Sequence, residues 1–274
     1  MILIAFSAKD EAGINIAGKV LEDYPFIKTV DTFQETPVFS AEIKGKRAKL
    51  VALKEETVYA QRLPEHFSNL DLIVFLSRHS SASGTPTLSV HTPGNFNTAE
   101  LGGLPHTLSV CPAEAMCNAL KELSRLRTEK QLKYEVSYEC THHGPSLGVP
   151  TMFVELGSSP LQWSDLKAAE VVGKAAMEAV GNFRVSSSTA VLGIGGPHYN
   201  RRFTRMALEN RVIFGQMMPK YAVRLVTSEI LRQCVDRTLE KVSHAVLDWK
   251  GIRSIDKPRL LKSLTEISLP YQKI

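Results

Sequence analysis

The densest chemistry in this chain lies between Tyr134 and Ser159. There Thr141-His142-His143-Gly144-Pro145 is followed, after the apolar run 151–154, by Glu155 and the small residues Gly157, Ser158 and Ser159. Imidazole nitrogens and a carboxylate are ligands of catalytic zinc, which keeps one coordination position open for water. Zinc lowers the pKa of that water to roughly 7 and polarises a substrate carbonyl. A neighbouring carboxylate or imidazole can then take up or return a proton. The segment therefore suits metal-assisted or acid–base hydrolysis, with His142, His143 and Glu155 as the catalytic candidates. Adjacent residues point oppositely in extended backbone, so one imidazole would reach the ion while the other supports it or meets substrate. A plain turn is the competing reading, because Gly-Pro marks turns by itself.

These residues need elements to position them. Apolar and alternating stretches predict strands at 2–6, 70–76, 134–139, 151–154 and 190–194, and a hairpin from 38–43 and 47–53 around Lys44-Gly45-Lys46. The carboxyl ends of four of them deliver His79, the His142-His143 pair, Glu155 and His198. Ligands of open α/β sheets collect outside such ends. Convergence there would make His79, His91, His142, His143, Glu155 and His198 a metal-ligand set. His91 falls in a polar stretch from Ser77 to Gly103, which reads as a long functional loop.

Helical spacing appears at Ile14, Ala17, Leu21 and Tyr24, behind a capping box of Ser7 and Asp10 and ahead of Pro25. Pro112 opens a second helix through Met116, Leu120, Leu123 and Arg127. Ser164 would cap a third, with Leu166, Ala169, Val172, Ala176 and Val180 inward and Gly181 as its stop. Residues 222–247 read as helical, and 257–265 as a short helix. His244 would be packed on the former, and His66 and His106 are read as structural. Strands alternating with helices predict an α/β fold. No repeat or linker interrupts the chain, so one domain over 1–274 is expected.

Gly193-Ile194-Gly195-Gly196-Pro197-His198 lacks the last glycine of Gly-x-Gly-x-x-Gly, which argues against a dinucleotide cofactor. Gly195, Gly196 and the following helix start still offer backbone N–H groups to a phosphate. Arg201, Arg202 and Arg205 would then contact phosphates, or form an ordinary solvated face. No Gly-x-Ser-x-Gly elbow occurs, and Cys140 near His142 is the remaining, unsupported nucleophile.

Bulk properties set the outer bounds. A hydrophobic content of 43% and a charged content of 22% exclude disordered and fibrous classes. Met1-Ile2-Leu3-Ile4-Ala5-Phe6 lacks a basic lead and reads as a strand, not a signal peptide, and no apolar run is long enough for a bilayer. Four scattered cysteines form no Cys-x-x-Cys pair, which fits a reducing cytoplasm. The net charge of +5 permits a nucleic-acid partner without requiring one.

Taken together, Met1 to Gly13, Ser77-Arg78-His79-Ser80, Ser89-Val90-His91-Thr92-Pro93-Gly94-Asn95, Thr141-His142-His143-Gly144-Pro145, Glu155-Leu156-Gly157-Ser158-Ser159 and Gly195-Gly196-Pro197-His198-Tyr199 resemble the archaeal and plant type of D-aminoacyl-tRNA deacylase. The resemblance spans essentially the whole chain. It implies a zinc-dependent (Zn2+) cytoplasmic hydrolase that frees a D-amino acid from the 3′ acceptor end of tRNA. It also implies a three-layer α/β/α fold with a mixed, mostly parallel sheet, similar to the phosphorylase and peptidyl-tRNA hydrolase group. A monomer without membrane attachment is expected. The rivals are a peptidyl-tRNA hydrolase-like esterase, a nucleoside phosphorylase-like enzyme and a non-catalytic RNA-binding module.

Overall fold

Strand alternation builds the centre of the molecule. The computed structural model describes residues 1–185 and 187–274. In chain order the elements are β1 (Ile2–Ser7), α1 (Glu11–Asp23), β2 (Ile27–Phe33), β3 (Thr36–Ile43), β4 (Lys46–Leu53), β5 (Leu72–Ser80), β6 (Thr87–His91), β7 (Gly94–Asn95), β8 (Thr107–Leu108), α2 (Ala113–Glu129), β9 (Glu135–Tyr138), β10 (Thr151–Ser158), α3 (Pro160–Trp163), α4 (Leu166–Asn182), β11 (Thr189–Gly195), α5 (Arg201–Leu208), β12 (Phe214–Met218), α6 (Lys220–Val223), α7 (Ser228–Asp236), β13 (Lys241–Asp248), α8 (Lys257–Glu266) and β14 (Tyr271–Lys273). An eight-stranded sheet runs β2-β3-β4-β1-β5-β10-β6-β9, and a four-stranded sheet runs β12-β11-β13-β14. The small sheet is parallel throughout, and the large one mixes parallel and antiparallel pairs. Helices lie on both sides, so the expected mixed, mostly parallel α/β architecture is present.

The two faces of the large sheet have different tasks. Ile2, Ile4, Leu72, Val74, Leu76, Leu88, Val90, Met152 and Val154 pack into one apolar cluster with the inward residues of α1, α2 and α4. Leu3, Ala5, Ile73, Phe75 and Phe153 point the other way, into a smaller cluster with Leu63 and Leu147. Continuing that second phase outwards, period two places Ser77 and His79 on β5, Glu155 on β10, Ser89 and His91 on β6, and Ser137 and Glu139 at the end of β9 on one face. The strand register brings them level: Phe153 is opposite His91, Glu155 opposite both Ser77 and Ser89, and Gly157 opposite His79. The apolar phase anchors the sheet to its helices, and the polar phase becomes a floor.

Several local expectations are corrected. The polar stretch 77–103 is largely strand, because β5 runs on to Ser80 and β6 and β7 follow. Its alternate residues face the floor and are polar, which hides the strand from a hydrophobicity pattern. Helix α1 is capped by Asp10 itself, which accepts from Gly13 N at 3.2 Å, while Ser7 Oγ accepts from Lys9 N. Asp165, not Ser164, caps α4. Ile14 and Leu166 are 45% and 51% exposed, since the buried stripes run through Gly13, Ile16, Ala17 and Val20 and through Ala168, Ala169, Val172 and Ala176. The span 222–247 is not one helix: α7 ends at Asp236, and Lys241 to Asp248 is the central strand β13. His244 therefore sits on a strand, its Nδ1 2.9 Å from Ser243 Oγ.

Helix α2 has an N-terminus that no local residue can serve, because Pro112 precedes it without a capping side chain. Glu240, 3% exposed and distant in sequence, accepts from Ala113 N at 2.9 Å and Glu114 N at 2.8 Å. This contact fastens α2 to the start of β13 and satisfies two of the four orphan donors of the helix. Replacing Glu240→Ala is expected to cost about 1–2 kcal/mol. Thermal or urea denaturation should show this as a lowered midpoint, with Glu240→Gln recovering part of the loss.

Candidate active site

Each side chain of the floor is held by a specific local structure. His79 ends β5, and its carbonyl accepts from Trp163 Nε1 at 2.9 Å. Gly157 on β10 lies directly beside it: a Cβ there would stand 2.4 Å from the His79 carbonyl oxygen. Only glycine leaves room for His79 in that position. His91 is fully buried, with its ring stacked on Phe153 at 5.0 Å. His142 and His143 occupy the turn after β9, with His143 at φ 43°, a left-handed conformation that costs energy for a residue with a Cβ and is held by its surroundings. Gly144 makes that possible, since a Cβ on it would meet Gly103 N at 2.2 Å and Val58 O at 2.6 Å. His198 arrives from the β11–α5 loop, which pairs antiparallel with the end of β9 through Glu139 and Tyr199.

The centre of the cluster is a residue that sequence reasoning missed. Glu139 is completely buried; its Oε1 is 3.1 Å from His79 Nδ1, and its Oε2 is 2.9 Å from His198 Nε2 and 3.6 Å from His142 Nε2. Glu155 lies 3.5 Å from His79 Nδ1 and 3.6 Å from His91 Nε2. Tyr199 Oη is 3.0 Å from His79 Nε2. The signal for Glu139 was available in Tyr134, Val136 and Tyr138, whose apolar phase puts Glu135, Ser137 and Glu139 on the opposite face. The cluster forms one wall of a cavity of about 490 Å³ that also meets Glu56, Val58, Tyr59, Arg78 and Leu101.

The donor set fits a metal ion. His142 Nδ1 is 2.9 Å from the Cys140 carbonyl, His143 Nδ1 2.7 Å from the Gly144 carbonyl and His91 Nδ1 3.3 Å from the Thr92 carbonyl. A ring nitrogen facing a carbonyl carries the hydrogen, which aims the Nε2 lone pair at the ion and fixes the ring. One ligand nitrogen from each of His91, His142 and His143 falls within 4.8 Å of the others. The same spacing holds for Glu139, His142 and His198, and for His79, Glu139 and Glu155. His91 Nε2 is buried without a hydrogen-bond partner, 3.6 Å from Glu155, and the buried Glu139 Oε1 has the His79 ion pair but no well-aligned hydrogen bond. Leaving such atoms unpaired is costly, and a cation would remove that cost.

Residues 66–272 match the family pattern of D-aminoacyl-tRNA deacylase. The chain belongs to that family. The D-aminoacyl-tRNA deacylase of Thermococcus onnurineus is 34% identical, with 97% of both chains covered. That of Pyrococcus abyssi is 33% identical over the full length of both. A crystal structure of a conserved protein of unknown function superposes with a TM-score of 0.87 at 30% identity, covering 100% of this chain and 95% of that one.

All six predicted metal-ligand residues of this family member, His79, His91, His142, His143, Glu155 and His198, lie in the one cluster. They do not sit outside a common row of carboxyl ends, because β6 runs antiparallel to β10 and β9 follows β6. They meet on the face of the sheet instead. Gly195 and Gly196 lie elsewhere: a Cβ on Gly196 would meet Asn200 Nδ2 at 2.6 Å and Asp248 Oδ2 at 2.7 Å. Asn200 also caps α5 through Phe203 N. Arg201 pairs with Glu135 at 2.7 Å and Arg202 with Asp248 at 2.6 Å, beside a second cavity of about 540 Å³, and Arg205 is exposed. His66 packs edge-on to Phe33, and exposed His106 bonds the Phe96 carbonyl, both outside the site. Burial pushes the Cys140 thiol well above its ordinary range, which disfavours a thiolate.

The electrostatics separate the imidazoles into two kinds. Burial disfavours charge on His79, but Glu139 and Glu155 overcome it and raise its pKa to about 11. His91 is raised against the same burial by Glu155. Burial and the neighbouring imidazoles hold His142 well below its ordinary value, and burial and His91 bring His143 to about 4. Glu139 resists the upward push of burial and stays well below the usual carboxylate range, because His79 and His198 face it. The last two rings are thus neutral and ready to bind metal at physiological pH. For the metal-stripped protein the sign of the His79 contribution follows. Its raised pKa gives stability that is fully present below 6.5 and is lost as pH rises through about 11. The depressed Glu139 requires pH above about 4.5 for full effect. Denaturation of the stripped parent and of His79→Gln should therefore differ most between roughly pH 5 and 6.5, with the gap closing steadily at higher pH.

Proposed function

We propose that this chain hydrolyses the ester joining a D-amino acid to the 3′ end of tRNA, releasing free D-amino acid and tRNA in the cytoplasm. The observation that carries the reading is the floor of His79, His91, Glu139 and Glu155, closed by His142, His143 and His198 beneath an open cavity. Family membership supplies the substrate class. His91, His142, His143 and Glu139 would hold zinc, with Glu155 and His198 within its reach. When bound, zinc supplies polarisation of the ester carbonyl and a water acidic enough to attack near neutral pH.

The protein's own groups carry the remaining steps. Water adds to the ester carbonyl carbon, and its proton passes to Glu155, whose carboxylate lies in the same buried cluster. The bond from that carbon to the ribose oxygen then breaks. His79, protonated through Glu139 and Glu155 and touching Tyr199 Oη, is placed to return a proton to the departing oxygen. Val58, Tyr59 and Leu101 offer an apolar wall to the amino-acid side chain, beside Glu56, whose carboxylate is paired with Arg78 at 3.1 Å. Among the described residues no helix is long and apolar enough to cross a membrane. All four cysteines are free and buried, which fits a reducing compartment.

Parallel assays on D-aminoacyl-, L-aminoacyl- and N-acyl-aminoacyl-tRNA, before and after chelation and with metal content measured, test the reading. Preferred hydrolysis of the D-ester, lost on chelation and restored by zinc, is expected. Preference for the N-acyl ester would instead mark a peptidyl-tRNA hydrolase, and activity indifferent to chelation would remove zinc. Glu139→Gln is expected to lower kcat/KM or metal content by about 10- to 100-fold while the protein remains folded by circular dichroism.

A further inference from the structure

Charge on this chain is concentrated at one end. Residues 249–274 contain Lys250, Arg253, Lys257, Arg259, Lys262 and Lys273 against Asp256 and Glu266, a net +4 out of the chain's +5. Folding leaves most of it uncompensated. Arg253 takes the Asp256 carboxylate at 2.7 Å, Lys262 approaches Glu266 only to 3.9 Å, and Lys250, Arg259 and Lys273 are exposed. Lys257 and Lys273 place their ammonium groups 4.4 and 4.0 Å from the Trp249 ring centroid, so an aromatic face lies among the cations.

This basic face runs up to the imidazoles. Arg259 on α8 donates from Nη1 to the Arg224 carbonyl at 2.9 Å, which fastens α8 to the end of α6. Arg224 lines a cavity of about 310 Å³ together with Phe96, Tyr221, Leu225, His142 and His143. It is a second mouth onto the same histidine turn, sharing Leu101, His142 and His143 with the one bordered by Glu56 and Arg78. Tyr221 there is 55% exposed, although an aromatic ring gains by being covered. The exposed ring of Tyr221 beside Arg224 and the cations of α8 matches the needs of a single-stranded RNA end, which offers base faces and phosphates. Helix α5 is a poorer candidate, because Glu135 and Asp248 already neutralise Arg201 and Arg202.

We infer that the face formed by α6, the Trp249 turn and α8 is the RNA-binding face of this protein. The 3′-terminal base lies against Tyr221 beside His142 and His143, and the preceding phosphates follow Arg224, Arg259 and Lys262. The inference rests on the deacylase reading, and it assigns the two mouths of the site separately: amino acid on the Glu56 side, nucleotide on the Tyr221 side.

The test compares tRNA charged with a D-amino acid and the same D-amino acid esterified to adenosine, which has no stem. Arg259→Glu combined with Lys262→Glu is expected to raise KM for the tRNA by about tenfold or more, and to flatten its log–log salt dependence by roughly one to one and a half. The adenosine ester should not register that change. Tyr221→Ala should raise KM for both substrates and Tyr221→Phe should not, as base stacking requires the ring and not the hydroxyl. Charge reversal of Lys46 and Arg47, at the start of β4 in the large sheet, is the control. The assignment is overturned if Arg205→Glu alters the salt slope and the α8 pair does not, or if the α8 pair impairs both substrates equally. Should the parent hydrolyse neither substrate, the deacylase reading fails by itself. Affinity for uncharged tRNA then decides the surface: a loss in the α8 pair supports it, and unchanged affinity rejects it.

Discussion

A fully buried carboxylate between imidazoles governs this molecule. Glu139 has lost all contact with solvent, yet it stays ionised because His79 and His198 approach it at 3.1 and 2.9 Å. Removing one partner from such a group leaves an uncompensated charge in a low-dielectric interior, a penalty of several kcal/mol. The positions of β5, β9 and the β11–α5 loop are thereby coupled. Each must remain where its side chain completes the cluster. The second acid, Glu155, extends the same coupling to β6 through His91.

The sheet can hold this polar cluster because its other face is so thoroughly apolar. Residues of β1, β5, β6 and β10 alternate between a helix-covered side and the floor, and the helix-covered side forms the largest apolar cluster in the molecule. That burial supplies the favourable free energy against which a desolvated His/Glu network can be kept. Directly below the imidazoles, Phe153 stacks on His91, and Phe75 stacks on Phe153 at 4.7 Å. Two rings thus form a rigid base, which restricts the rotamers of the imidazoles above.

The cluster also explains the placement of the less regular segments. The turn carrying His142 and His143 is tied down by Gly144 against the 57–59 and 102–103 backbones, and by the Thr141 hydroxyl to Gln216 at 2.9 Å. Its Thr141 N donates to the Met217 carbonyl, linking the floor to the small parallel sheet. The same small sheet supplies the loop with His198 and Tyr199. The two sheets therefore meet at the site, and the helices packed on the small sheet are held beside the histidines.

How much of this could be read in the chain divides along a physical line. Residue type and local spacing were enough to mark the five histidines and Glu155 that the fold brings together, and to find β1, the β3–β4 hairpin, β5, β10, α2 and α8. Alternation is a short-range property, so strands such as 70–76 announce themselves. Glu139 did not, because it closes the expected strand 134–139 on its polar phase, which alternation alone leaves solvated; its burial exists only once β9 pairs with β6 and the 197–199 loop closes over it. The strands hidden in 77–103 and 241–248 were lost for related reasons, the first because its alternate side chains are polar and the second because a continuous apolar run fits helix or strand equally. Strand direction was likewise undecided by the sequence, and it moved the site from the sheet's edge to its face. Local chemistry was written in the residues; their meeting point was decided by long-range pairing and by which groups that pairing removed from water.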